Sequence, residues 1–125
     1  MNRFKELSKE FGYKQKDFQN LINLSIDVIN NISNNRSSID DEKLIKLCDI
    51  FQVTCDYFLC LTNEGIYVDV LGKRYSISKD KFLLYKSMNK ISYPNGIRSL
   101  LVSNLNEIEF VESNSQLIKL KNELF

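Results

Sequence analysis

The chain predicts a mainly α fold, with five short helices over residues 1–62 and then, over 63–125, a smaller region of one β-hairpin and two or three helices. Two observations carry this. Apolar residues at Phe4, Leu7 and Phe11, and again at Leu44, Leu47, Cys48 and Phe51, recur at helical spacing, so two amphipathic helices share a core. After Leu61 the pattern changes to β-branched and aromatic runs on either side of a glycine-containing turn, which marks paired strands.

The first helix is expected over residues 3 to 11 and the second over 15 to 22, with the Asn23-Leu24 corner after it. Ser25 stands before Ile26-Asp27-Val28-Ile29 as the N-cap of a third helix, 26 to 33, and Asp40 or Asp41 has the same role for a fourth, 41 to 51. A fifth runs from 55 to 61, and the ends of all five are good to about two to four residues. Thr62-Asn63-Glu64-Gly65 reads as a short linker. Beyond it, Ile66 to Val70 and Arg74 to Ser78 flank Leu71-Gly72-Lys73 as a β-hairpin. Ser78 or Asp80 caps a helix carrying Phe82, Leu83, Tyr85, Lys86 and Met88, which Tyr93-Pro94-Asn95-Gly96 breaks. A further helix is expected to carry Ile97, Leu100, Leu101, Leu105 and Ile108. A last one, starting at Ser113 or Ser115, carries Leu117, Ile118, Leu120, Leu124 and Phe125. Charged and apolar side chains alternate from Glu107 to Glu112, so a strand is the alternative there.

Composition narrows the function class. The chain has 125 residues, 43% hydrophobic and 26% charged, which suits a soluble globular protein. No apolar run approaches the ~18 residues of a membrane span, and the N-terminus lacks the apolar core of a signal peptide. A cytoplasmic location without a membrane partner is therefore expected. Three cysteines, at 48, 55 and 60, are expected to be buried reduced thiols. A zinc site needs about four ligands, and the chain has no His to supply the missing one. The lack of His also removes the commonest general base. No Gly-rich phosphate loop, nucleophile elbow or carboxylate pair stands in the sequence, and Glu107, Glu109 and Glu112 read as a solvated face. Catalytic residues, a metal and a cofactor are thus not expected, and neither is an enzyme.

Two runs of residues point to a partner. One is Gly12-Tyr13-Lys14-Gln15-Lys16-Asp17-Phe18 with Ile22-Asn23-Leu24-Ser25 and Val28-Ile29. The other is Asn34-Asn35-Arg36, followed by Glu42, Leu44, Leu47-Cys48, Phe51, Val53-Thr54 and Asp56-Tyr57-Phe58-Leu59. From Arg3 to Leu59 the chain resembles, without a gap, the phage-repressor (Cro/XRE-type) helix-turn-helix family. The resemblance implies a five-helix, lambda-repressor-like DNA-binding domain in which the fourth helix ends at Val53-Thr54 and Asp56 caps the fifth. Where the family usually has Gly at 23 and 35, this chain has Asn, which tolerates a left-handed backbone. Where it usually has Ala at 19, Gln19 must either turn outward or prop the second and third helices apart. Ser33 and Ile39 replace a usual Glu and Pro.

In such a motif the third helix enters the major groove and the second crosses the phosphate backbone. The resemblance then places Gln15, Ile26, Asp27, Asn30 and Asn31 at base-reading positions, and Lys14, Lys16, Ser25, Asn34 and Arg36 against phosphate. Side-chain chemistry fits: Ile26 suits a thymine methyl, Asp27 accepts from cytosine N4, and Asn31 pairs with adenine. Charge gives less support, because residues 1–62 hold eight Lys/Arg against nine Asp/Glu, and 63–125 hold nine against seven. Binding then depends on concentrating Lys9, Lys14, Lys16 and Arg36 on one face, away from Asp40, Asp41 and Glu42. Lys5, Lys43 and Lys46 read as ordinary solvated surface.

The expected function is a sequence-specific, double-stranded-DNA-binding transcriptional regulator, a repressor that dimerises through 63–125 and occupies a palindromic operator. The alternative is a protein-interaction module on the same fold with weakened DNA binding, such as an antirepressor or phage-encoded inhibitor. Asp27, Gln19 and the near-neutral charge favour the alternative. The apolar residues of 63–125 either form a dimer or partner surface or bury one another and a face of the first domain.

Overall fold

The computed structural model describes residues 1–36 and 39–101. Contacts divide the chain into two compact units, Met1–Thr62 and a second beginning at Asn63.

The first unit is five helices, α1 Phe4–Phe11, α2 Gln15–Ile22, α3 Ile26–Ser33, α4 Asp41–Phe51 and α5 Cys55–Phe58. Each start is held by a nearby polar side chain that accepts from a backbone N–H; in every helix but α2 that N–H is one the helix leaves unpaired at its first turn. Asn2 Oδ1 accepts from Phe4 N at 2.9 Å, and Asp17 accepts from Lys14 N, just ahead of α2, at 2.7 Å. Ser25 accepts from Val28 N at 3.3 Å, Asp40 from Lys43 N at 2.9 Å and Thr54 from Tyr57 N at 3.2 Å. The donation from Lys43 N holds the Asp40 carboxyl below its ordinary range. The cap of α5 is thus Thr54, not Asp56, because Thr54 stands just ahead of the first helical turn, where its hydroxyl reaches Tyr57 N. That helix also ends earlier than expected, at Phe58, since Cys60 turns to φ 62°.

Helix ends need a left-handed residue, and Gly12, Asn23 and Gln52 take that conformation at the ends of α1, α2 and α4. Asn35 follows α3 with φ 57°, so both Asn-for-Gly positions keep the backbone of the turn. The core is aromatic. Phe51 is 0% exposed, and its ring lies 5.9 Å from Phe4, 5.8 Å from Phe18 and 6.2 Å from Phe58. Leu47 and Ile29 are also fully buried, whereas Phe11 and Leu44 are only half-buried. Arg3 closes the unit by donating from Nε to Tyr57 O at 2.7 Å and from Nη2 to Thr62 O at 3.1 Å.

The second unit makes the whole chain mixed α/β rather than mainly α. Strands β1 Glu64–Val70 and β2 Lys73–Ser78 form the expected hairpin, and its two-residue turn has positive φ at both Leu71 and Gly72, the backbone that matches strand twist. Ser78 then caps α6, Lys79–Ser87. Two more strands follow, β3 Ile91–Ser92 and β4 Ser99–Leu100. The sheet order is β2-β1-β4-β3, with β1 antiparallel to β2 and parallel to β4. Ile66, Val68, Val70, Tyr75 and Ile77 bury one face, on which α6 packs with Phe82 and Tyr85.

The helix expected from Ile97 does not form at its described end. Asn95 and Gly96 both turn to positive φ, and pairing overrides the apolar spacing: Arg98 O accepts from Asp69 N at 2.8 Å, and Ser99 lies beside Asp69. Arg98 itself is fully buried, with Nη1 donating to Tyr67 O at 2.9 Å and the guanidinium 5.3 Å from the Phe82 ring. The expectations for Leu105, Ile108, Glu107 to Glu112 and the last helix from Ser113 lie outside the described residues. Of the cysteines, only Cys48 is buried; Cys55 and Cys60 are half-buried, and all three are free thiols.

Candidate nucleic-acid interface

Helices α2 and α3 pack together around the Asn23-Leu24 corner, with Leu24 buried beneath it. Gln19 is half-buried and does not keep these helices from packing. Ile29 and Ile32 turn α3 inward. Because residues four apart stack on a helix surface, Ile26 lies beside Asn30 and Asp27 beside Asn31. Ile26 is 48% exposed, Asp27 is exposed, and Asn30 and Asn31 are half-buried.

One contact ties the two helices across this surface: Gln15 Nε2 donates to Asn30 Oδ1 at 2.6 Å. Gln15 is the first residue of α2, so its amide is held over the middle of α3 before any partner arrives. Asn30 has a second role, since its carbonyl accepts from both Asn34 N and Asn34 Nδ2. Asn31 O accepts from Arg36 N at 2.9 Å, which folds the Arg36 backbone against the end of α3. Ser25 accepts a hydrogen bond as the cap of α3 and still has its hydroxyl proton to donate.

The charges of this unit sort themselves. Lys43 pairs with Asp40 and Lys46 with Glu42, each at 3.2 Å, while Arg3 pairs with Glu6 at 3.4 Å. Lys14, Lys16 and Arg36 are exposed and have no ion pair among the described residues. The near-neutral total therefore hides a division: both lysines of α4 are taken up by Asp40 and Glu42, whereas the cations beside α2 and after α3 stay available.

The helix-turn-helix family model matches residues 4–58. This segment is a helix-turn-helix domain of the Cro/C1 type, in the XRE family. The C-terminal half matches no family model, and no curated protein or solved structure matches the chain.

Within the helix-turn-helix domain, Gln15, Ile26, Asp27, Asn30 and Asn31 lie on α2 and α3 as expected, with Gln15 and Asn30 in direct contact. Ser25 caps α3, Asn34 follows it, and Arg36 ends the turn after it. Two residues of this neighbourhood had no expected role. Lys5 Nζ donates to Asn34 Oδ1 at 3.4 Å. Asn2 Nδ2 donates to Ile32 O at 2.9 Å and to Asn35 Oδ1 at 3.0 Å. An Asn two places ahead of the first apolar residue is a readable helix-start signal, but its contact with residues 30 positions away leaves no mark in the sequence. Among the described residues no group of His, Cys, Asp and Glu could hold a metal ion, and no helix is long and apolar enough to cross a membrane.

Proposed function

We propose that the protein is a cytoplasmic, non-enzymatic transcriptional regulator that reads double-stranded DNA through α2 and α3, acting as a homodimeric repressor on a palindromic operator. The observation that carries this reading is the Gln15–Asn30 hydrogen bond. It holds two amides in a fixed relation on a surface flanked by the unpaired cations Lys14, Lys16 and Arg36, the combination of adaptable edge-reading groups and phosphate partners that groove recognition uses. Gln15, Ile26, Asp27, Asn30 and Asn31 face bases, while Lys14, Lys16, Ser25, Asn34 and Arg36 face phosphates. Residues 1–62 are the DNA-binding domain and 63–125 the dimerisation or partner-binding region. A dimer suits the reading because two helices one duplex turn apart match a symmetric site.

Asp27 favours a second reading, since an exposed carboxylate in the first turn of α3 repels phosphate. On that reading the same fold binds a protein, and the exposed Leu83, Leu84 and Met88 belong to its partner surface.

Selection of sequences from a random duplex pool by the purified full chain at moderate salt, with its mass measured in the same solution, separates the two. Enrichment of a palindrome by a dimer is the expected result. Failure of the folded protein to enrich any sequence would replace the DNA reading with the protein-interaction reading.

A further inference from the structure

The end of a helix leaves its last carbonyls without partners, and in α3 one of them is met from outside the helix. Ile32 O accepts from Asn35 N at 3.2 Å and from the side chain of Asn2 at 2.9 Å. The same Asn2 amide donates to Asn35 Oδ1, and its oxygen accepts from Phe4 N. One half-buried side chain thus closes the start of α1 and the end of α3 together. Asn35 is the left-handed residue of the turn, and Arg36 N bonds back to Asn31 O directly after it. The backbone that carries Arg36, and the end of the helix that carries Asn30 and Asn31, are therefore referenced to α1 through Asn2.

We infer that Asn2 is a positioning residue for the DNA-reading surface, fixing the end of α3 and the Arg36 turn without touching DNA. This inference rests on the DNA reading proposed above. A side chain that only capped α1 would need its oxygen alone; the two donations to the far end of α3 are what a positioning role adds. Lys5 supports the same junction less tightly, through Asn34.

Two substitutions separate the halves of the role. Asn2→Asp and Asn2→Ser both keep an oxygen for Phe4 N and both remove the amide donors, and only Asp adds a charge. Each full-length variant is compared with the parent by thermal melting, by amide hydrogen exchange at Asn35 and Arg36, and by affinity for the selected sequence and for random duplex at the same salt. The expected outcome for both is a melting curve close to the parent, faster exchange at the two amides, and about a tenfold loss on the selected sequence, the scale of one contact misplaced, with a smaller loss on random duplex. A merely structural role would lower both affinities together and leave their ratio unchanged. Unchanged exchange in both variants, or a binding loss confined to Asn2→Asp, overturns the inference. If the parent selects no DNA, the functional reading fails by that result alone, and the exchange comparison still decides whether Asn2 holds the end of α3.

Discussion

In the first unit each helix start is closed by a side chain two or three residues away, at Asn2, Asp17, Ser25, Asp40 and Thr54. In the second, the central strand β1 finishes only when Asp69 meets Ser99, 30 residues later. The first unit is assembled from pieces that define themselves locally and are then gathered around Phe51. The second is defined by its long-range pairs, and a buried arginine sits among them. Charge divides the two as well. The described part of the second unit holds seven Lys/Arg against three Asp/Glu, while the first holds eight against nine. The unit that carries α2 and α3 is thus the less basic one, and on the proposed reading its DNA affinity must come from where its few cations stand.

The largest effects should come from cutting each unit at its centre. Phe51→Ala removes the ring on which those of Phe4, Phe11, Tyr13, Phe18 and Phe58 all pack, and is expected to destabilise the first unit by about 3–5 kcal/mol. Arg98→Ala leaves Tyr67 O unpaired beside a cavity and is expected to destabilise the second by about 3 kcal/mol. Hydrogen exchange should show the loss of protection in α4 for one and in β1 for the other. If either variant strips protection from both, the units do not behave separately and the comparison breaks.

An intermediate effect should sharpen the contrast in charge. Arg36→Ala is expected to weaken binding to every duplex by about 1 kcal/mol and to lower the salt slope by about 0.9. Asn31→Ala should instead relax preference at one base pair by about 1–3 kcal/mol. Equal losses on all sequences for Asn31→Ala would remove it from the reading face.

The smallest effect belongs to Tyr85, which is 1% exposed with a hydroxyl that has no hydrogen-bond partner among the described residues. Burial pushes its phenol up from 10.0 to about 12. The folded state therefore favours the neutral form, so this contribution is complete below pH 10.0 and is lost as pH rises through about 12. Tyr85→Phe should gain up to about 1 kcal/mol and flatten the stability profile in that alkaline window, as followed by denaturant titration.

The same contrast explains what the sequence alone discloses. Helical spacing and the caps Ser25, Asp40 and Ser78 are local signals, so α1 to α4 start and stop within a residue of expectation. Asp56 looked like the cap of α5, but Thr54 has the position that reaches Tyr57 N. Strands β3 and β4 are two residues each, too short to have a period. Ile97, Leu100 and Leu101 fit helical spacing equally well, and long-range pairing, with Asp69 N donating to Arg98 O and Leu100 beside Ile91, decides against it. The placement of the candidate residues on α2 and α3 is legible because the helix bounds are, while the Gln15–Asn30 contact and the reach of Asn2 are products of packing.

The parallel pairing of β1 with β4 also sets an order of events during synthesis. At ~5–20 residues per second, about 2–6 s pass between the emergence of Asp69 and that of Ser99. Until then the β1 edge that will meet β4 has unpaired backbone groups, a template for strands of other chains. The helical first unit, already complete at Thr62, has no such interval. Overproduction at high temperature should therefore put the nascent second unit, rather than the first, at risk of aggregation.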